Sequence, residues 1–170
     1  MSQSLSRKSL DSLPDHVSKP QYQFNTIHPG IIHLGLCNFH RAHQALYLDD
    51  LFNMGLDHDW GIVGSGVMPH DAAMRKALFE QDLLTTVVEL EPGANKVRVI
   101  GSMVDFLPVE SGNPSLIRAL CDPKIRIVSM TITEGGYFID PATGKFNPNF
   151  PQMIDCLLYT SDAADDELGV

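Results

Sequence analysis

Three short apolar runs, separated by segments of helical period, constrain this chain more than any other feature. Ile31-Ile32-His33-Leu34 closes on Gly35, Gly61-Ile62-Val63-Gly64 leads through Gly66 to Pro69, and residues 125–132 are apolar except at Arg126, Ser129 and Thr131. Such runs are the mark of strands covered on both faces. After the first, Ala42, Ala45, Leu46, Tyr47, Leu51 and Phe52 fall on one side of a helix and Asp49, Asp50 and Asn53 on the other, predicting an amphipathic helix from Ala42 to near Gly55. After the second, residues 71–80 have helical character around Ala72, Ala73, Lys76, Ala77 and Leu78. Residues 83–90 and 97–104 are β-rich and joined by Glu91-Pro92-Gly93-Ala94-Asn95, which predicts a hairpin. Asn113 stands in N-cap position before Pro114, ahead of Leu116, Ile117 and Leu120. This alternation predicts an α/β fold with a doubly wound, largely parallel sheet and a β-hairpin insertion. Ligands of such sheets lie beyond the carboxyl ends of the strands. The segments after Leu34, Val63 and Ile132 are therefore the places to seek a site.

Composition narrows the function classes. The 170 residues are 44% hydrophobic and 19% charged, enough apolar matter for a real core. A formal charge of −9 without a dense Lys/Arg stripe argues against a sequence-independent grip on nucleic acid or an anionic membrane. Cys37, Cys121 and Cys156 are far apart with no CxxC pair, so neither a disulfide framework nor a structural zinc site is supported. No apolar run near the start has the roughly 7–15 residues of a secretory signal, and no stretch reaches the ~18 that a membrane helix needs. The expectation is a cytoplasmic protein. Residues 1–29, rich in Ser and Pro, read as an extended arm ahead of a folded domain at 30–155.

Three motifs sit where ligands are expected. Gly35-Leu36-Cys37-Asn38-Phe39-His40-Arg41 lies between a strand and a helix, where a dinucleotide diphosphate would meet unpaired helix N–H groups. Gly35 suits the sharp turn, but Cys37 and His40 occupy the second and third glycine positions, and an ordinary strand-to-helix turn fits the pattern equally. A metal site built on His40 and His43, with His33 or His58, matches no familiar spacing. Asp71, 36 residues beyond Gly35, is placed either to accept the adenosine ribose hydroxyls or simply to cap the helix that follows. Thr131-Ile132-Thr133-Glu134-Gly135-Gly136-Tyr137 carries a strand out into a Gly-rich loop, where Glu134 could face a reacting centre or stand in water.

Together these segments resemble the amino-terminal domain of the mannitol 2-dehydrogenases, in the polyol-specific long-chain dehydrogenase/reductase family. The resemblance runs from Ile32 to Tyr137. It rests on His33-Leu34-Gly35, Phe39-His40-Arg41-Ala42-His43-Gln44-Ala45, Asp59-Trp60, Val97-Arg98-Val99-Ile100-Gly101-Ser102, Ile125-Arg126-Ile127-Val128-Ser129 and the 131–137 motif. It implies a Rossmann-type domain binding NAD, and hydride transfer between that cofactor and a polyol or keto-sugar (D-mannitol to D-fructose) without a catalytic metal. By the same carry-over, Gly35, Leu36, Cys37, Asn38, Phe39, His40 and Arg41 surround the diphosphate. Asp71 selects NAD over its phosphorylated form, and Thr131, Thr133 and Glu134 lie toward the nicotinamide. His70 stands where the mannitol enzymes can carry a second acidic residue, and Cys37 where they usually carry glycine. A hexuronate (fructuronate or tagaturonate) reductase of the same family and a non-catalytic nucleotide-binding module are the alternatives. The general-base lysine and the helical substrate domain of the family lie beyond residue 155, so the expectation is a truncated chain, inactive alone, with no catalytic residue of its own. Residues 156–170 read as a non-native, adapter-like tail.

Overall fold

A computed structural model of the chain describes residues 4–132 and 134–154. Contacts divide the chain into two compact units, one up to Thr131 and one from Ile132 onward.

The first unit is built on a four-stranded parallel sheet. Strands β2 (Pro29–Leu34), β3 (Gly61–Ser65), β6 (Met103–Phe106) and β7 (Ile127–Met130) lie in the order β6-β3-β2-β7. Strand β7 follows β6 in the chain yet lies on the far side of β2, so the order reverses between β2 and β7. This is the 3-2-1-4 arrangement of one and a half mononucleotide-binding units, with its switch point at β2 and β7. Alternate side chains of β2 and β3 serve two cores, as expected for a sheet covered on both faces. Ile31 and Ile62 pack with Ala45 and Leu46 of α2 (Gln44–Asn53) and Leu78 of α3 (Asp71–Glu80). Ile32 and Val63 pack with Leu116 and Ala119 of α4 (Pro114–Leu120). The short helix α1 (Asn38–Ala42) precedes α2. The α/β, doubly wound expectation holds.

A second sheet contains the predicted hairpin. Strands β4 (Thr85–Glu91) and β5 (Ala94–Ile100) pair antiparallel from Thr85↔Ile100 to Glu91↔Ala94, with Pro92 and Gly93 at the turn. Strand β1 (Val17–Ser18) joins β5 in parallel. The expected single strand over 97–104 is in fact two. The chain leaves the hairpin at Gly101 and Ser102 and enters the main sheet as β6, because the Gly101 N–H donates to Asp49 Oδ1 and the Ser102 hydroxyl to the Ala45 carbonyl.

Other local readings also differ. The segment read as an extended arm carries 3₁₀ helices at Arg7–Ser12 and Phe24–Thr26, the first closed by a capping box between Ser6 and Ser9, and it buries Leu10, Tyr22 and Ile27. The helix expected from Ala42 starts at Asn38 and breaks at His43, whose backbone leaves helical space. Asn113 adopts a left-handed conformation and caps nothing with its side chain; the Glu110 carboxylate accepts the Ser115 N–H instead. Strand β7, read as buried, is an edge among the described residues, with Ile127, Val128 and Met130 exposed.

In the second unit a 3₁₀ helix, Glu134–Tyr137, is followed by a bridge between Ile139 and Phe146. The turn between them is tied by the Ala142 N–H to Asp140 Oδ1. Among the described residues no helix is long and apolar enough to cross a membrane.

Candidate functional site

The carboxyl ends of β2, β3 and β7 bring the first motif and its neighbours together. Gly35 turns the chain at the end of β2 with a φ of +76°, a left-handed conformation that favours glycine, and its N–H donates to the Ser65 carbonyl of β3. A β-carbon there would also sit 3.2 Å from the Thr131 carbonyl oxygen. Thr131 itself continues the β2–β7 ladder by donating its N–H to the Leu34 carbonyl. Gly35 and Thr131 are thus adjacent across the switch point.

Beneath them His33, in register with Ser129, bonds both ring nitrogens across the crevice. Nδ1 lies 2.9 Å from Ser129 Oγ and Nε2 3.1 Å from Thr131 Oγ1, while the Ser129 hydroxyl donates to Gln44 Oε1 at the start of α2. His40 stacks on His33 with ring centroids 3.7 Å apart. It is 1% exposed, and neither of its ring nitrogens has a hydrogen-bond partner. Burial, then the neighbouring His33 and the Arg41 charge, pushes the His40 imidazole down to about 3. Burial likewise lowers His33. Both rings are neutral at neutral pH: His33 acts through its two hydrogen bonds, and His40 stacks on it with a donor and an acceptor left unpaired.

The remaining residues of the motif take different roles. Burial raises the Cys37 thiol, but the His40 backbone amide, the Thr131 hydroxyl, the Phe39 amide and the Arg41 charge together bring it below its ordinary range. Arg41 donates from Nη2 to Asn38 Oδ1, while its Nε is buried without a partner. Phe39 is exposed and stacks on His43. Leu36 turns its side chain into the core beside Ile31, so only its backbone is available to a ligand.

At the end of β3, Asp71 opens α3 with its carboxylate folded back over the loop. Oδ2 accepts the Met68 N–H at 2.9 Å, and Oδ1 lies 3.6 Å from His70 Nε2, which is largely exposed. The cap is therefore on the loop before the helix. Gly35 to Arg41, Asp71 and Thr131 all lie at carboxyl ends of the main sheet. Glu134 belongs to the second unit, and Thr133 lies outside the described residues.

The histidines singled out for a metal do not converge. His33 and His40 stack face to face, His43 bonds the Phe39 carbonyl, and His58 bonds the Phe52 carbonyl and Thr26 Oγ1. Sequence reasoning passed over Ser65, Gln44, Ser129 and the network role of His33. A signal existed: His33 and Ser129 are polar interruptions of two apolar runs, and a polar side chain inside a buried strand needs a partner.

Comparison with known proteins agrees with this geometry. Residues 29–165 match the family model for the mannitol dehydrogenase Rossmann domain. The chain is 56% identical over 138 residues to mannitol 2-dehydrogenase of Cereibacter sphaeroides, covering 81% of this chain and 29% of that protein. It is 43% identical over 148 residues to a polyol:NADP oxidoreductase of Gluconobacter oxydans, covering 84% and 30%. The fold matches Pseudomonas fluorescens mannitol 2-dehydrogenase, solved as a ternary complex with NAD and D-mannitol, at a TM-score of 0.76 and 43% identity over 92% of this chain and 32% of that one. The chain therefore spans just under a third of the length of these relatives. With the family model covering most of its residues and the switch-point architecture in place, the chain belongs to the mannitol dehydrogenase Rossmann-domain family.

Proposed function

We propose that this chain is the cofactor-binding part of an NAD-dependent oxidoreductase that interconverts a polyol and a keto-sugar, D-mannitol and D-fructose. One observation carries the reading. Five side-chain atoms are buried without a hydrogen-bond partner among the described residues, and four belong to α1, which follows β2, and to the last residue of β3: both ring nitrogens of His40, Arg41 Nε and Ser65 Oγ. Buried polar groups are paired in stable proteins, so such a cluster indicates a polar ligand or ordered water held there. The residues fit a dinucleotide. Gly35 lets backbone approach a diphosphate, Arg41 offers positive charge, and neutral His40 offers a donor and an acceptor. Asp71 holds a carboxylate where ribose hydroxyls would donate to it and where the 2′-phosphate of NADP would be repelled. The bound nicotinamide supplies hydride acceptance and return. Thr131, hydrogen-bonded to His33, stands at the rim of the switch point and orients that end of the cofactor.

The test is a fluorescence titration of the chain with NADH and with NADPH. Wild type is expected to prefer NADH. Asp71→Ala should lose about tenfold in NADH affinity, as for a hydrogen bond to a charged group, while NADPH binding holds or improves. Absence of binding by either dinucleotide would overturn the cofactor reading, and equal binding of both by wild type would remove Asp71 from its role.

A further inference from the structure

We infer that Gly66 is a positioning residue for coenzyme choice: the missing side chain at this position makes the space in which the Asp71 carboxylate is held, and so sets how strongly the site separates NAD from NADP. The inference rests on the reading of Asp71 as the ribose-binding carboxylate and names what orients it.

Gly66 follows β3 directly and is not among the glycines with positive φ, so nothing in its own backbone excludes alanine. Its neighbour does. A β-carbon on Gly66 would fall within 2.5 Å of Asp71 Oδ2 and closer still to Asp71 Cβ and Cγ, nearer than real β-carbons approach other atoms. An alanine tolerated by the backbone would ordinarily favour folding by limiting the unfolded chain, and it is the Asp71 side chain, which supplies the three nearest atoms, that opposes it here.

Backbone closes the same lock. The Asp71 N–H donates to the Met68 carbonyl at 2.9 Å, and Asp71 Oδ2 accepts the Met68 N–H at 2.9 Å. Residues 66–71 thus form a loop in which one carboxylate oxygen is tied to the main chain. The second oxygen, Oδ1, keeps its lone pairs for another partner and is approached by the exposed His70 ring. The Asp71 side chain is only 23% exposed. A carboxylate fixed in this way is pre-organised: it accepts a ribose hydroxyl without losing rotamer freedom, and it cannot swing aside to admit a 2′-phosphate. Filling the space at Gly66 pushes the carboxylate off the Met68 amide and lets it do so.

The experiment compares the ratio of NADH to NADPH affinity in wild type, Asp71→Asn, Gly66→Ala and Met68→Pro, with circular dichroism to verify folding. Asp71→Asn keeps the shape and removes the charge, and Met68→Pro removes the N–H that holds Oδ2. The ratio is expected to fall in all three, by about tenfold in Gly66→Ala and by less in Met68→Pro. Adding Gly66→Ala to Asp71→Asn should change it no further, since the group being positioned is already gone. An unchanged ratio in folded Gly66→Ala, or equal weakening of both dinucleotides, overturns the inference while a collapse in Asp71→Asn leaves the Asp71 reading standing. An unchanged ratio in Asp71→Asn sinks that reading, and this one with it. If Gly66→Ala does not fold, Met68→Pro decides: a lowered ratio supports the lock and an unaltered ratio overturns it.

Discussion

Replacing Asp49 with alanine is expected to lower the unfolding free energy by about 3–5 kcal/mol, the cost of removing one partner from a buried ion pair. Asp49 is 1% exposed and accepts four hydrogen bonds: from the Tyr22 hydroxyl at 2.6 Å, the Gly101 N–H at 2.9 Å, Asn53 Nδ2 at 3.0 Å and Arg98 Nη2 at 3.2 Å. These donors come from the amino-terminal segment, the crossing between the two sheets, α2 and β5. Alanine leaves the Tyr22 hydroxyl and the Gly101 amide buried without an acceptor, and Arg98 keeps only Asp50. Asp49→Asn retains the volume and one acceptor oxygen, so its loss should be roughly half as large. Urea denaturation followed by circular dichroism measures both. A shift below about 1 kcal/mol for alanine would show that the carboxylate does not hold these four elements together. The consequence reaches the site, because α2 begins at Gln44, which meets Ser129 beneath the switch point.

That same network explains why part of the fold escapes a reading of the sequence. The runs that became β2 and β3 and the segment that became α3 were legible because each carries its own periodicity and its own boundary residue: Gly35 and Gly66 after the strands and Asp71 at the start of the helix. The hairpin was legible from Pro92 and Gly93. The break at Gly101 was not, since residues 97–104 are uniformly β-forming and the change of sheet is enforced by Asp49 and Ala45, about fifty residues earlier in the chain. The amino-terminal segment has the Ser and Pro content of a loop. Its 3₁₀ helix has no apolar period to detect, and only Leu10, Tyr22 and Ile27 betray that it is covered. At the site, the positions of Gly35, His40, Arg41 and Asp71 followed from strand ends. The pairing of His33 with Ser129 required knowing that their strands are neighbours, which is a property of the switch in strand order and not of either segment.

Acidification is expected to unfold the protein through His40 more than through any one surface histidine. The imidazole takes a proton at about 3 in the folded chain and at 6.5 in the unfolded one. Between those values the unfolded state binds more protons than the native state, so stability falls as the pH falls. The loss begins near 6.5, grows by about 1.4 kcal/mol for each pH unit, and ends near the folded value. From neutrality to about pH 4 it amounts to about 3 kcal/mol, a large share of the roughly 5–15 kcal/mol that holds an ordinary domain together. Burial is the main cause, reinforced by His33 stacked against the ring and by Arg41 beside it, so a proton on His40 would be poorly solvated and set beside a like charge. His40→Phe keeps a ring against His33 and cannot titrate. Comparing thermal midpoints of the two proteins from about pH 7 to about pH 4 isolates the effect from the carboxylates common to both. Wild type should lose stability more steeply, with the difference concentrated below 6.5. Parallel curves would mean that the ring is hydrated in solution. The cluster of unpaired atoms at the ends of β2 and β3 would then be satisfied by water, and the observation that carries the cofactor reading would lose its force.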